Sequence, residues 1–415
     1  MAKDKDYIPT RRFPQFAQEK GWDYVNANEL FEPIVNKNHN SDLPVLAITQ
    51  DQGAVPRDKI DYNVIVSEKS IAGYKVVEIG DFIISLRSFQ GGIEYSYYKG
   101  LCSPAYIVLR KKNNTICNDF YRHYFKSWQF IQDLNRNLEG IRDGKMVSYQ
   151  QFSEILIPYP PFAEQQKIAD CLSSIDELIK ISNGKLEMLK SQKAGLMQQL
   201  FTPINGGGNF CIIPKLRFPN FYNSKGWEVK TLGELFSIMK NGTNYDTNNL
   251  SGYPMSRIET ISAGSINYNK VGYSLIEPKE YKMQKGDILF SHINSIANIG
   301  KVAFYDGSKV LYHGMNLLLL RCKKDYNSLF VYYLLNTSFM KCKYQSIAKR
   351  AVNQASISTS ELGKLTVSVP KSINEQYQIA QCLSFIDTAA RLSVTRKAII
   401  EHHKRGLIQQ LFPKS

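Results

Sequence analysis

The chain carries one series of short motifs twice, in the same order, and this duplication constrains its fold more than any other feature. The first three motifs are Arg12-Phe13-Pro14, Lys20-Gly21-Trp22 and Glu29-Leu30-Phe31. All three recur 205 positions later, beginning at Arg217, Lys225 and Glu234. Three motifs at one offset indicate an internal duplication, so we expect the two halves of the chain to fold alike.

A second group of motifs repeats at a slightly larger offset. Gly80-Asp81 matches Gly286-Asp287, and the motifs between Glu164 and Phe201 return 211 positions later. The flanks of the two halves are therefore alike, whereas the segments between them have changed in length and sequence. We expect a duplicated frame that holds two different inserts to recognise two different targets.

The closing segment of each half has the periodicity of a long helix. Apolar residues follow steps of four and three, which is the heptad spacing of a coiled-coil seam. The seam residues are Ile168, Leu172, Ile175, Ile179, Leu186, Leu189, Ile379, Leu383, Ile386, Ile400, Leu407 and Leu411. At ~1.5 Å per residue, each predicted helix is about 55 Å long, and the two are expected to pair antiparallel. Two ordinary amphipathic core helices are the alternative.

The segments between the flanks combine short β-rich runs with turn signals, so the predicted fold class is α+β. We expect two mixed α/β domains in a pseudo-two-fold arrangement, separated by a long antiparallel two-helix coiled coil. One further helix is predicted over 119–138, with Phe120, Tyr124, Trp128 and Ile131 on one face. The predicted boundaries are 1–160 and 215–371 for the mixed domains, 161–202 and 372–415 for the long helices, and 203–214 for a linker.

The chain is basic, with 52 Lys and Arg against 37 Asp and Glu and a formal net charge of +15. This balance favours a polyanionic partner, either nucleic acid or an anionic membrane, although simple solubility would also explain it. The excess is uneven, because residues 1–205 hold 25 basic and 24 acidic side chains whereas residues 206–415 hold 27 and 13. We therefore expect the second half to depend more on phosphate contacts.

Several other classes of protein are disfavoured by the sequence. No apolar run approaches the ~18 residues of a membrane span, and the first residues are polar and charged. The seven cysteines are scattered and form no C-x-x-C pair, which is typical of reduced thiols and predicts a cytoplasmic protein.

The sequence contains none of the common catalytic motifs, such as a phosphate-binding loop, a dinucleotide-binding loop or a zinc-protease helix. Its six histidines do not have metal-ligand spacing, so no metal site and no catalytic residue is predicted. Tyr159-Pro160-Pro161-Phe162 is similar to the N-P-P-F motif of adenine methyltransferases. That chemistry needs an acceptor for the flipped amine at the first position, where this chain has tyrosine.

The ordered motifs resemble those of the specificity subunit of type I restriction–modification systems, over nearly the whole chain. The resemblance implies that the two inserts are target-recognition domains and that the paired helices set their spacing. It also implies double-stranded DNA, two methyltransferase (modification) subunits and restriction/translocase subunits as partners. The partners would carry S-adenosylmethionine, ATP and Mg and would methylate adenine, so no cofactor and no enzyme activity is expected in this chain. Because the inserts differ, the expected target is bipartite and asymmetric.

Base reading needs Arg, Lys, Asn or Gln at groove edges, and phosphate positioning needs Lys and Arg. The predicted DNA-binding residues are Arg87, Lys99, Arg142, Lys145, His292, Asn294, Lys301, Lys349, Arg350 and Asn353. The strongest segments are 140–151 and 349–358, which are polar, basic and close to the start of each long helix. Arg87 has no basic equivalent in the second half, where His292 and Asn294 flank Ile293. An ordinary solvated role is the alternative for each single residue.

Two other functions remain open at this point. The chain could be a restriction–modification polypeptide with its own unrecognised methyltransferase or nuclease activity, which labelled S-adenosylmethionine and the purified chain would reveal. It could also be a coiled-coil assembly scaffold, which would show no sequence preference on DNA when assembled with its partners.

Overall fold

The computed structural model describes residues 7–40, 42–60, 71–136, 147–203, 213–246, 249–262, 264–352 and 354–413. The chain divides into two compact units. The first unit contains residues 1–183 and 394–415, and the second unit contains residues 184–393. Each unit therefore combines one mixed α/β domain with a segment of both long helices.

The elements of the first unit are short apart from the long helices. Its strands are β1 (Asp23–Asn26), β2 (Phe31–Ile34), β3 (Leu46–Thr49), β4 (Gly53–Pro56), β5 (Lys75–Val77), β6 (Phe82–Ile84), β7 (Glu94–Tyr95), β8 (Gly100–Cys102), β9 (Ile107–Lys111) and β10 (Leu156–Tyr159). Its short helices are α1 (Ala27–Leu30), α2 (Ser88–Gly91), α3 (Asn118–Tyr124), α4 (Trp128–Arg136) and α5 (Tyr149–Ser153). Helix α6 (Phe162–Leu200) starts in this unit and continues into the second.

The second unit repeats this plan. Its strands are β11 (Glu228–Thr231), β12 (Phe236–Asn241), β13 (Tyr253–Met255), β14 (Gly272–Ser274), β15 (Ile288–Phe290), β16 (Ile293–Asn294), β17 (Val302–Phe304), β18 (Leu318–Cys322), β19 (Lys349–Arg350), β20 (Ala355–Ser356) and β21 (Thr366–Val369). Its short helices are α7 (Leu232–Leu235), α8 (Ser328–Leu335), α9 (Ser338–Ile347) and α10 (Thr359–Lys364). Helix α11 (Ile373–Leu411) starts here and ends in the first unit.

The sheets confirm both the α+β class and the duplication. A four-stranded sheet has the order β2-β9-β6-β7 in the first unit and β12-β18-β15-β17 in the second. A two-stranded sheet joins the start of each domain to the strand before the long helix, as β1-β10 and β11-β21. The units differ in their small sheets, which are β3-β4 and β5-β8 in the first and β13-β14 and β16-β20-β19 in the second. All of these pairings are antiparallel.

The long helices α6 and α11 have 39 residues each and pair antiparallel within both units. In the first unit Lys404 contacts Asp176, while Leu411 belongs to the same core cluster as Ile168 and Leu172. Residue numbers therefore fall along one helix as they rise along the other. In the second unit Lys193 contacts Asp387, and Leu200 shares a core cluster with Ile379 and Leu383. No helix of the described residues is both long and apolar enough to cross a membrane.

All of the predicted seam positions are sheltered from solvent. Buried members are Ile168, Leu172, Leu189, Ile379, Leu383, Ile386 and Leu411, and half-buried members are Ile175, Ile179, Leu186, Ile400 and Leu407. Ser182 and Ser393, the two serines in register with the seam, are buried at 8% and 7% exposure, and their hydroxyls donate to the carbonyls of Leu178 and Ala389.

The motifs that open and close each half meet in a buried ion pair. Arg12 donates to both carboxylate oxygens of Glu164 at 2.7 Å, and Arg217 donates to those of Glu375 at 2.7 and 2.8 Å. Each glutamate lies in the first turn of a long helix, so these pairs fix the domain to the helix. The neighbouring Gln165 also joins the long helix to the domain. Its side-chain oxygen accepts a hydrogen bond from the Cys117 amide at 2.9 Å.

The Gly-Asp motifs are also structural. Asp81 accepts two hydrogen bonds from Arg110, and Asp287 accepts two from Arg321, at 2.7–2.8 Å. Each aspartate is almost fully buried, at 2% and 1% exposure. A buried carboxylate needs a paired cation, and the strand beside it supplies one in both units.

The single helix predicted over 119–138 is wrong, because the chain forms α3 and α4 with a turn between them. Ser127 lies in this turn, and its hydroxyl accepts from the Phe130 amide at 3.3 Å, as an N-cap does. The turn buries the rings of Phe125 and Phe130, whose centroids are 4.7 Å apart. It also leaves Trp128 64% exposed instead of in the core. The linker predicted over 203–214 falls mostly outside the described residues.

Candidate nucleic-acid interface

Two of the predicted DNA-binding segments lie side by side in the second unit. Strand β16 pairs with β20, which pairs in turn with β19, so Asn294 and Arg350 both lie opposite Ala355. The sequence separates these segments by more than fifty residues, and the small sheet β16-β20-β19 brings them together. Asn353 lies outside the described residues.

Lys349 and Arg350 supply the positive charge of this sheet. Both are exposed on β19, and neither makes an ion pair with another described residue. Flexible cations at a sheet edge suit contacts to backbone phosphates, and arginine also suits bidentate contacts to guanine.

His292, Asn294 and Lys301 are more constrained than the sequence indicated. Burial lowers the pKa of His292 to about 4, so its ring is neutral near pH 7. The Asn294 amide donates to the Ser291 hydroxyl at 3.1 Å, and the Lys301 ammonium donates to the Ser262 carbonyl at 2.8 Å. Burial therefore constrains His292, whereas Asn294 and Lys301 are held by hydrogen bonds to which a DNA contact would have to add.

The candidates of the first unit lie around the end of β6. Arg87 is exposed at the start of α2, and its carbonyl accepts from the Gln50 side chain at 3.3 Å. Lys99 pairs with Glu78 at 2.8 Å, with both side chains at least 38% exposed. Arg142 and Lys145 lie outside the described residues, so the structure leaves Arg87 as the unpaired cation among the described candidates of this unit.

The sequence did not reveal a buried ion pair beneath the Arg87 loop. Glu94 is 1% exposed and pairs with Lys126, whose ammonium also donates to the carbonyls of Gly91 at 2.9 Å and Gln50 at 3.3 Å. Burial raises the pKa of Glu94 to about 7 and also lowers the pKa of Lys126. The pair holds the loop from Arg87 to Gly91 against α3 and its following turn. The sequence feature that could have indicated this pair is the position of Glu94 between the apolar residues Ile93 and Tyr95.

A polar junction ties each domain to both long helices. In the second unit Asp387 accepts from Lys193 at 2.6 and 2.8 Å and from the Tyr333 hydroxyl at 2.8 Å. In the first unit the equivalent Asp176 accepts from Lys404, and Arg122 lies 3.9 Å from it. Three elements therefore meet at one carboxylate in each unit, which fixes how each domain sits on its helices.

The long helices also expose apolar side chains away from their shared seam. In the first unit these are Leu178, Ile181, Val394 and Ile399, with exposures of 45–57%. In the second unit they are Met188, Phe385 and Leu392, with exposures of 61–75%. Phe385 and Leu392 of the second unit are seven residues apart, which is the spacing of a second helical seam. Exposed apolar rows of this kind are typical of protein-binding surfaces.

No group of three or more His, Cys, Asp or Glu residues that could hold a metal ion is found in the described part of the chain. The residues that the structure brings together are instead cations, amides and apolar side chains. They can bind phosphates, base edges and apolar protein surfaces.

Comparison with known proteins gives sequence matches over most of the chain. The family described as type I restriction modification DNA specificity domain matches residues 19–191 and 224–402. A protein assigned as the type I restriction enzyme MjaX specificity subunit of Methanocaldococcus jannaschii is 41% identical over 195 residues. That match spans 45% of this chain and 46% of the relative, less than half of its length. The type I restriction enzyme MjaVIII specificity subunit of the same organism is 26% identical over 351 residues, which cover 81% of this chain and 79% of that protein.

The fold also has a solved counterpart. The crystal structure of the S subunit of a type I restriction-modification system from M. genitalium is similar with a TM-score of 0.60. The likeness covers 98% of this chain and 100% of that one at 14% sequence identity. At this identity the likeness supports the duplicated fold, and the residues in contact with any ligand have to be argued from this chain.

Proposed function

Because the chain belongs to the family of type I restriction–modification DNA specificity subunits, we propose that it reads a bipartite, asymmetric DNA target through two recognition domains, one in each unit. The observation that carries this proposal is the duplicated frame with unlike inserts. The four-stranded sheets, the Arg–Glu pairs and the Asp junctions are alike, whereas the small sheets and exposed side chains differ. Alike frames with unlike reading surfaces would bind two different half-sites.

In the second unit we assign DNA contact to the sheet β16-β20-β19. Lys349 and Arg350 would position the phosphates, while Asn294 and the neighbouring loop would face base edges. In the first unit Arg87 has the equivalent place, on a loop braced from below by the Glu94–Lys126 pair. A bound base or phosphate needs a fixed partner, and the buried hydrogen bonds of Lys126 beneath the loop provide such rigidity.

We assign the exposed apolar rows of the long helices to two methyltransferase subunits. Phe385 is 75% exposed and Leu392 63% exposed, and both lie away from the Lys193–Asp387 contact that holds the helices together. A helix with its own heptad row would bury these side chains by coiled-coil packing. Restriction/translocase subunits would join through the methyltransferase subunits, and the complex would act in the cytoplasm.

In this proposal the methyltransferase and restriction/translocase subunits carry out the catalysis. S-adenosylmethionine, ATP and Mg would bind to the methyltransferase and translocase subunits, and this chain would be non-catalytic. The alternatives of an intrinsic methyltransferase or nuclease activity remain open to a direct assay. The purified chain, incubated alone with DNA and labelled S-adenosylmethionine, should transfer no label, and transfer above background would assign activity to it.

The docking surface has a matched test in the same unit. Phe385→Asp with Leu392→Asp should abolish copurification with the methyltransferase subunit, because each change places a charge on the apolar row. Leu250→Asp with Leu275→Asp makes the same chemical change on side chains that are 92% and 70% exposed elsewhere in this unit, and should leave copurification intact. Equal copurification of both variants would contradict this assignment.

A further inference from the structure

The second unit carries a basic surface that contains none of the predicted DNA-binding residues. Two adjoining depressions, of about 610 and 400 Å³, share Gln284 and Arg321. The lysines that line them are Lys240, Lys279, Lys282, Lys285, Lys323 and Lys324. With Arg321 they make seven cations, against the two carboxylates of Glu280 and Asp287.

Cations outnumber carboxylates on this surface by seven to two, so most of its positive charge is uncompensated. Asp287 is already engaged by Arg321 at 2.7 and 2.8 Å, and Lys240 lies against the Tyr281 ring at 4.5 Å. The other five lysines are exposed and make no ion pair within the described residues. Unpaired exposed lysines at close spacing repel one another, so a polyanion that neutralises them binds favourably.

The part of this surface that contains Lys285, Lys323 and Lys324 lies at the opposite end of the central sheet from β16-β20-β19. Asp287 immediately precedes β15. Strand β16 begins at Ile293, three residues after Phe290, the last residue of β15. Strand β18 runs antiparallel, with Leu320 opposite Ile288, so Lys323 and Lys324 follow it at the Asp287 end. Lys285, Lys323 and Lys324 therefore lie apart from Lys349 and Arg350.

Within the described residues of the first unit, the positions equivalent to Lys285 and Lys324 carry no lysine. The backbone amide of Lys112 donates to the Leu30 carbonyl at 2.9 Å, and the backbone amide of Lys323 donates to the Leu235 carbonyl at 2.9 Å. Because Leu30 and Leu235 are equivalent in the repeat, Lys112 and Lys323 are equivalent too. The residue after Lys112 is Asn113, and the residue before the first Gly-Asp motif is Ile79 instead of lysine. The charge excess of the second half of the chain is therefore concentrated in part at this one place.

We propose that this lysine surface binds the backbone phosphates of the DNA duplex outside the bases read by the second unit. The inference rests on the proposed function and adds a second, sequence-independent contact to it. Lysine presents a compact charge that suits phosphates, and it is depleted in protein–protein interfaces, which centre on apolar and aromatic anchors. The composition of the surface therefore fits a nucleic-acid backbone better than it fits a protein partner.

The test is a salt titration of DNA binding by the assembled complex carrying Lys285→Gln, Lys323→Gln and Lys324→Gln. Each lost phosphate contact lowers the slope of log affinity against log salt by about 0.9, so the three changes lower it by up to about 2.7. Between about 50 and 200 mM salt the unmodified complex should then lose about 40-fold more affinity than the variant. This difference should appear on a duplex with long flanks and vanish on one trimmed to the target.

A matched control removes the same charge from the first unit, as Lys37→Gln, Lys59→Gln and Lys112→Gln. It should leave the salt slope unchanged, and an equal fall would show that net charge, and not this surface, is responsible. An unchanged slope in the test variant would overturn the inference, and loss of methyltransferase copurification in this variant would assign the surface to a protein partner instead. Failure of the proposed function is distinct, because the unmodified complex would then show no target preference at all.

Discussion

The buried Arg217–Glu375 pair offers a demanding test of how the repeated motifs hold each unit together. Glu375→Gln removes the carboxylate charge and keeps the shape of the side chain. The carboxylate accepts from two Arg217 nitrogens at 2.7 and 2.8 Å and from the Trp227 indole at 3.0 Å. The two charged side chains are only 5% and 2% exposed, so the substitution leaves a guanidinium in the interior without its counter-ion.

The expected cost follows from this burial. Removing one partner of a buried ion pair destabilises a protein by about 3–5 kcal/mol. The glutamine retains one carbonyl oxygen, and Arg217 still donates to the carbonyls of Ser224 at 2.9 Å and Lys225 at 3.0 Å. We therefore expect the lower end of that range, about 3 kcal/mol in the free energy of unfolding of the second unit.

The first unit provides a matched comparison through Glu164→Gln. Its pair with Arg12 has the same two hydrogen bonds, but the Trp22 indole nitrogen has no hydrogen-bond partner within the described residues. Glu164→Gln therefore disturbs one hydrogen bond fewer, and we expect its cost to be lower by about 1 kcal/mol.

Tryptophan fluorescence in urea can separate the two units, because the chain has three tryptophans. Trp22→Phe with Trp128→Phe leaves Trp227 as the reporter of the second unit, and Trp128→Phe with Trp227→Phe leaves Trp22 as the reporter of the first. Glu375→Gln should shift the Trp227 transition to clearly lower urea. An unshifted transition, or a larger cost for Glu164→Gln than for Glu375→Gln, would refute the reasoning.

Three further predictions concern charged residues. Because burial raises the pKa of Glu94 from 4.5 to about 7, the folded state holds a proton that the unfolded state has released. The first unit should lose roughly 3 kcal/mol of stability as pH rises from 4.5 through 7, and Glu94→Gln should abolish this loss in urea titrations at each pH. Lys349→Ala with Arg350→Ala should lower the salt slope of DNA binding by up to about 2, and an unchanged slope would remove both from the interface. A double-mutant cycle on Lys193→Ala and Asp387→Ala should give a coupling of about 1 kcal/mol, since both side chains are partly exposed, and zero coupling would contradict the junction.

The fold was largely predictable because the repeated residues are the structural ones. Arg217, Trp227 and Glu375 come from different motifs, and the structure shows them in one hydrogen-bonded cluster. The heptad spacing likewise located the long helices, which begin at Phe162 and Ile373. Residues that keep a frame together recur in both copies, and recurrence is visible in a single sequence.

The division into units was not predictable from the repeat. Phe412 closes the second copy, yet its ring packs on Phe120 at 5.3 Å in the first unit. Phe201 closes the first copy and packs on Phe330 at 5.4 Å in the second unit. A heptad pattern is the same along a whole helix and does not show which domain each end contacts. Half-chains cut near residue 205 would therefore lack part of their own cores, and charge tests belong in the full chain.

The proposed DNA-contact residues were the least predictable part of the candidate site. Sequence indicated the type of residue, but it did not show that His292 is buried or that Lys301 is held by a carbonyl. It also gave no sign that Lys126 crosses to Glu94, because the two are far apart in the chain and pair only through the fold. Exposure and pairing decide which cations are available, and both arise from tertiary packing.

The most direct test of the central claim is to identify the DNA sequence that the assembled complex methylates and to alter each half-site separately. The account predicts adenine methylation at a bipartite motif whose two parts differ in sequence, with binding lost when either part is scrambled or when the spacing between them is changed. Substitution of Lys349 and Arg350 should weaken binding through only one of the two parts. A palindromic motif, a motif that survives scrambling of one part, or methylation by the methyltransferase subunit at the same motif without this chain would contradict the claim.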